Sequence, residues 1–128
     1  MDIMVVDDEV EVREMICDML ESKGHNVIAA ENGRRAIDLI AVYKVDLIIT
    51  DIMMPEIEGI ELILRLRQSN IPIVSISSLS KDSVVSDIMA SLGVVGFLQK
   101  PFSKSDLMQF VNEVKESIRR KELLSEGD

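Results

Sequence analysis

Apolar residues along this chain follow two alternating patterns: short unbroken runs, and longer stretches where they recur at every third or fourth position. The runs are Ile3-Met4-Val5-Val6, Val27-Ile28-Ala29-Ala30, Val45 to Ile49 (interrupted at Asp46) and Ile73-Val74-Ser75-Ile76, with a short fifth around Gly96-Phe97-Leu98. Brief, β-branched and bounded by turn residues, they predict strands buried on both faces, as in a parallel sheet. Between them lie helical periods. Val12, Met15, Ile16, Met19 and Leu20 mark the first helix, and Ala36, Ile37, Ile40 and Ala41 the second. Leu62, Ile63 and Leu66 mark the third, and Val85, Ile88, Met89 and Leu92 the fourth. Leu107, Phe110, Val111, Val114 and Ile118 give the fifth its buried stripe.

Local chemistry agrees with these boundaries. Gly24 and Gly93 stand where the first and fourth helices should stop, because glycine reaches the left-handed conformation of a C-terminal cap without strain. Ser69-Asn70 and Ile71-Pro72 end the third, since a residue before proline avoids the helical region. Ser103 and Asp106 form a capping-box pattern for the fifth helix, flanked by Phe102 and Leu107 as a hydrophobic staple. Arg119-Arg120-Lys121 complements the dipole at the other end and reads as helix chemistry rather than a binding patch. Beyond it, Glu122 to Asp128 has no apolar period and is expected to fray, leaving residues 1–121 as the domain. Five strands alternating with five helices through short right-handed crossovers imply an α/β doubly wound parallel sheet.

With 128 residues, 47% of them hydrophobic, the chain is long enough for one well-buried core and short for two, so a single domain is expected. A formal charge of −9 opposes binding to a phosphate backbone. The lone Cys17 can form no internal disulfide, no signal-peptide pattern opens the chain, and no apolar run is long enough to span a bilayer. Together these point to a cytoplasmic protein.

The chemistry gathers where strands end. Val45-Asp46-Leu47-Ile48-Ile49-Thr50-Asp51 finishes on a carboxylate before Ile52-Met53-Met54-Pro55, and the carboxyl ends of parallel strands are where open α/β sheets bind ligands. Asp7 and Asp8 follow the first strand, Asp51 the third, Ser77 the fourth and Lys100 the fifth. Three carboxylates against one ammonium leave about two uncompensated charges, a cluster that raises its own pKa values unless a cation enters. With oxygen ligands and neither Cys nor His nearby, that cation fits Mg²⁺ better than zinc.

The set Val6-Asp7-Asp8-Glu9, Thr50-Asp51-Ile52-Met53-Met54-Pro55 with Gly59, Ser77-Ser78 and Lys100-Pro101-Phe102 resembles that of a response-regulator receiver domain over roughly residues 2 to 120. The resemblance implies a flavodoxin-like sheet of order 2-1-3-4-5 and the role of a phosphorylation-activated switch in a two-component phosphorelay. In it Asp51 accepts a phosphoryl group from a sensor histidine kinase or phosphotransfer protein, becoming an aspartyl phosphate. Asp8, Asp51 and the carbonyl of Met53 would ligate Mg²⁺, with Asp7 acting through water. Lys100 would pair with Asp51 and then with a phosphoryl oxygen, and Ser77 and Phe97 would relay the change to the face made by the fourth helix, fifth strand and fifth helix. A cis Lys100-Pro101 bond is also implied. The chemotaxis-like run Gly93 to Lys100 points further to a stand-alone monomer that docks a downstream protein target, the alternative being a receiver excised from a longer regulator.

Two positions depart from the family's usual residues: Ser77 replaces Thr, keeping the hydroxyl, and Phe97 replaces Tyr, losing the phenol. Met53 and Leu79, where the family tunes hydrolysis, are apolar and cannot orient water. Mg²⁺-dependent self-phosphorylation with slow self-dephosphorylation, and no turnover of an external substrate, is therefore expected. An aspartate-nucleophile phosphatase would carry a second Asp where Met53 stands, and a flavin module is opposed by the acidic rim and an aromatic content of 3%. His25 reads as an exposed turn residue, Cys17 as a small packed apolar side chain, and Gly33 and Gly59 as backbone permissions rather than phosphate cradles.

Overall fold

The alternation of apolar runs and helical periods is realised in full in a computed structural model, which describes residues 1–51, 58–78 and 84–126. The elements are β1 (Asp2–Val6), α1 (Val10–Glu21), β2 (Asn26–Ala30), α2 (Gly33–Ile40), β3 (Leu47–Asp51), α3 (Glu58–Leu66), β4 (Ile73–Ser77), α4 (Val84–Ser91), β5 (Val94–Gln99) and α5 (Lys104–Glu126). All strand pairs are parallel and the order across the sheet is β2-β1-β3-β4-β5.

Because side chains alternate across a strand, each apolar run divides between two cores. Met4, Val6, Ile48 and Ile73 pack on one face with Ala36 and Leu39 of α2, Leu62, Ile63 and Leu66 of α3, and Met89 of α4. Ile3, Val5, Leu47, Ile49, Val74, Ile76 and Leu98 pack on the other with Ile16 and Leu20 of α1 and Leu107, Val111 and Val114 of α5. Unbroken hydrophobicity in the strands is thus the direct consequence of helices on both sides.

The capping box at α5 forms as its sequence requires. The Asp106 N–H donates to Ser103 Oγ, and the Ser103 N–H donates to Asp106 Oδ2, each at 3.0 Å. At α2, Asn32 Oδ1 accepts from the Arg35 N–H at 2.8 Å. Gly24 and Gly93 have φ of +88° and +98°, as expected of helix stops, and the Lys100-Pro101 bond is cis.

Three features differ from the sequence-based expectation. β5 is longer than its apolar triplet, running from Val94 to Gln99 with a register irregularity where Ile73 pairs Val94 and Val74 pairs Gly96. α5 continues through Glu126 instead of fraying after Lys121, since Lys121-Glu122-Leu123-Leu124 are good helix formers and no Gly or Pro intervenes before Gly127. His25 is half-buried rather than exposed, with Nδ1 3.1 Å from the Met1 amino group.

Candidate functional site

Register decides which side chains meet. Val6 pairs with Ala30 of β2 and with Thr50 of β3, Asp51 with Ile76, and Ser77 with Gln99. The strands therefore finish nearly level, and the residue that closes or follows each one, Asp7, Asp51, Ser77 and Lys100, arrives at a single rim.

Asp7 and Asp51 are buried there, with 1% and 4% of their surface exposed. Lys100 Nζ stands 2.9 Å from Asp51 Oδ2 and 3.6 Å from Asp7 Oδ2, so one ammonium bridges the ends of β1 and β3. The Lys100 backbone N–H donates to the Ser77 carbonyl at 2.7 Å, which fixes the exit of β5 against β4. Burial pushes the Asp7 carboxyl above its ordinary value, and the carboxylates of Asp51 and Asp8 add to this against the pull of the Glu9 N–H and Lys100. For Lys100, burial works against the charge. The hydrogen bond and attraction of Asp51, with Asp7 and Glu9 behind it, outweigh burial and hold the ammonium above its usual value.

The carboxylates that converge are those of Asp7, Glu9 and Asp51, each offering an oxygen within 4.8 Å of the others. Asp8 is exposed and outside this group, although its charge is felt by Asp7. Glu9 is thus a member of the site that the sequence reading did not single out as a ligand. Its only signal was its place as third in a run of carboxylates. It occupies the N-cap position of α1 with extended backbone (φ −85°, ψ 112°), and its side chain makes no capping hydrogen bond. The donor set is all oxygen, and a carboxyl strained by burial would be relieved by a cation, so these residues fit a hard divalent ion such as Mg²⁺. Met53 and Leu79 lie outside the described residues.

The segment carrying these acids is held from several sides. The Asp7 N–H donates to the Ala30 carbonyl at 3.2 Å, Asp7 Oδ1 accepts from the Glu9 N–H at 2.9 Å, and Arg13 Nη1 donates to the Asp7 carbonyl at 2.7 Å. Ser77 is fully buried, and Phe97 is half-buried. Ser75, two residues before Ser77 on the same face, pairs in register with Thr50 and with Phe97. Two other candidates take no part. The Cys17 thiol is half-buried away from the rim and pushed up to about 11, first by burial and then by Glu21, which leaves it a packed apolar group. A cavity of about 810 Å³, lined by Met1, Pro72, Phe110 and Ile118 among others, lies at the opposite end of the sheet.

Comparison with known proteins agrees with this geometry. The family model "Response regulator receiver domain" matches residues 3–112. Response regulator MprA of Mycolicibacterium vanbaalenii is 38% identical over 110 residues, covering 83% of this chain and 46% of that protein. The alkaline phosphatase synthesis transcriptional regulatory protein PhoP of Bacillus subtilis is 33% identical over 122 residues, covering 94% of this chain and 50% of that one. The chain spans about half the length of these curated relatives. Among solved structures, chemotaxis protein CheY4 of Vibrio cholerae superposes with a TM-score of 0.81 at 27% identity, covering 88% of this chain and 97% of that chain. The receiver domain of Francisella response regulator 1452 gives 0.78 at 32% identity, covering 91% and 98%. A doubly wound sheet whose strand ends bring buried carboxylates and a lysine to one rim, matched along most of its length by this family model, places the chain in the response regulator receiver domain family of two-component signalling.

Proposed function

We propose that this chain is a phosphorylation-controlled switch in which Asp51 takes a phosphoryl group from a phosphohistidine on a sensor kinase or phosphotransfer protein. A carboxylate oxygen of Asp51 forms the new O–P bond as the N–P bond of the donor breaks, and the imidazole leaves with that electron pair. The observation that carries this reading is the placement of Asp51: buried at the end of β3, 2.9 Å from Lys100, within a cluster of acids.

Receiver domains bind Mg²⁺ at such an acidic pocket, where the ion supplies charge neutralisation for the transferring phosphoryl. Asp7, Glu9 and Asp51 are the described carboxylates that would hold it, with Asp8 and the Met53 carbonyl as the further ligands the family pattern suggests. Lys100 already spans Asp51 and Asp7, so it stands ready to accompany the charge as it moves onto a phosphoryl oxygen. The Ser77 hydroxyl is the nearby group suited to follow a new acceptor oxygen, and Phe97 the ring whose packing would change with it. Output then passes to the face of α4, β5 and α5, docked by a protein target, with residues 1–121 as the working unit and a monomer as its resting form. Relatives of about twice this length favour a second reading, in which such a receiver acts within a longer regulator.

Treatment with acetyl phosphate and Mg²⁺, followed by mass spectrometry, is expected to add one phosphoryl group to the parent and none to Asp51→Ala. The adduct should persist for minutes. A parent that gains no mass, or an Asp51→Ala chain that gains it equally, would overturn the proposal.

A further inference from the structure

We infer that Arg13 is a positioning residue for the acidic site, its guanidinium clamping the Asp7 carbonyl so that the carboxylates of Asp7 and Glu9 converge on Asp51. The inference rests on the reading of this rim as the phosphoacceptor site.

The argument starts from the local backbone. Asp7, Asp8 and Glu9 bridge β1 and α1, and three consecutive acids repel one another, so an unconstrained loop would spread them into water. Instead, Arg13 holds the segment at both ends. Its side chain donates to the Asp7 carbonyl at 2.7 Å, and its backbone N–H donates to the Glu9 carbonyl at 3.0 Å. Between these anchors the Glu9 N–H turns inward onto Asp7 Oδ1 at 2.9 Å, while Asp7 Oδ2 faces Lys100. The Arg13 side chain is half-buried on α1 rather than extended into solvent, and a charge-assisted hydrogen bond to a carbonyl is stronger than a neutral one. Glu9, whose side chain caps nothing, is thereby left with its carboxylate beside Asp7 and Asp51. Groups that orient a ligand set from behind typically alter metal affinity by about tenfold or more when removed.

A plain electrostatic role predicts the opposite sign. Deleting a positive charge close to a cation site removes repulsion and should tighten Mg²⁺ binding, whereas deleting a clamp should weaken it. Calorimetric titration of the metal-free protein with MgCl₂ separates the two. The Mg²⁺ Kd is expected to rise about tenfold in Arg13→Ala and to recover in part in Arg13→Gln, which keeps an N–H donor without the charge. In metal-free samples, amide exchange of Glu9 followed by NMR should quicken in Arg13→Ala and slow again in Arg13→Gln. Folded variants that bind Mg²⁺ as tightly as the parent, or tighter, overturn the inference, as does an unchanged Glu9 amide. Should Arg13→Ala fail to fold, Arg13→Gln alone decides by the same two readings against parent, an intermediate loss supporting the clamp. Failure of the parent to bind Mg²⁺ would instead strike the reading of the site itself.

Discussion

At the scale of single residues, the molecule spends its polar side chains unevenly. Asp7 and Asp51 are buried with a lysine between them, yet Ser75, fully buried two residues before Ser77, has an Oγ with no hydrogen-bond partner among the described residues. An unmade buried hydrogen bond costs about 1–3 kcal/mol, and alanine removes the hydroxyl with little change of shape. Ser75→Ala is therefore expected to raise stability by about 1 kcal/mol, read as a higher urea midpoint with an unchanged denaturant slope. A lower midpoint would mean that the hydroxyl is satisfied after all. Asp51 and Lys100 could be picked out from sequence because each follows an apolar run, and the end of a parallel strand has a known address. Glu9 and Arg13 could not. Their roles depend on how the β1–α1 connection folds back on itself, and a glutamate and an arginine in the first turns of an acidic helix look like ordinary solvated residues.

At the scale of elements, what was legible followed from periodicity, and what was not followed from close approach. The cap of α5 and the stops at Gly24 and Gly93 need only local chemistry, so the sequence carries them openly. The full extent of β5 was hidden because Gly96 splits its apolar pattern, beside a register irregularity in its pairing with β4. Gly96 explains the interruption: a Cβ there would lie 2.8 Å from Cζ and 2.9 Å from Cε2 of Phe110. The ring of α5 occupies the space that a side chain on β5 would need. Gly96→Ala is expected to cost about 1 kcal/mol through displacement of that ring, with part of the loss returned by Phe110→Leu in the double variant, measured as Tm. Additive losses in the pair would separate the glycine from the ring. Gly33 plays the same part between α2 and α3, where a Cβ would meet Leu62 Cδ1 at 3.1 Å.

At the scale of the whole molecule, the two ends of the sheet hold different ionisable groups. The rim at the carboxyl ends of the strands is acidic around one lysine, while the other end holds His25 beside the Met1 amino group. Burial lowers the His25 pKa below its ordinary 6.5, helped by that amino group and Lys115. A base whose folded pKa is depressed contributes its full stability above the unfolded value and loses it as pH falls through that value toward the folded one. Stability is thus expected to decline below about pH 6.5 in part through this residue, and His25→Gln should flatten that limb in denaturant titrations at several pH values. An identical decline in the variant would assign it to other groups. No helix among the described residues is long and apolar enough to cross a membrane.

The order in which the rim is assembled along the chain has its own consequence. A ribosome delivers Asp7 with the first strand and Asp51 with the third, but Lys100 only after the fifth. A nascent chain that has emerged only through β4 would hold two sunken acids with no base to accompany them. Docking of the last edge strand is the event that makes burial of both acids tolerable, so vectorial synthesis leaves the acidic corner unfinished until the sheet is whole.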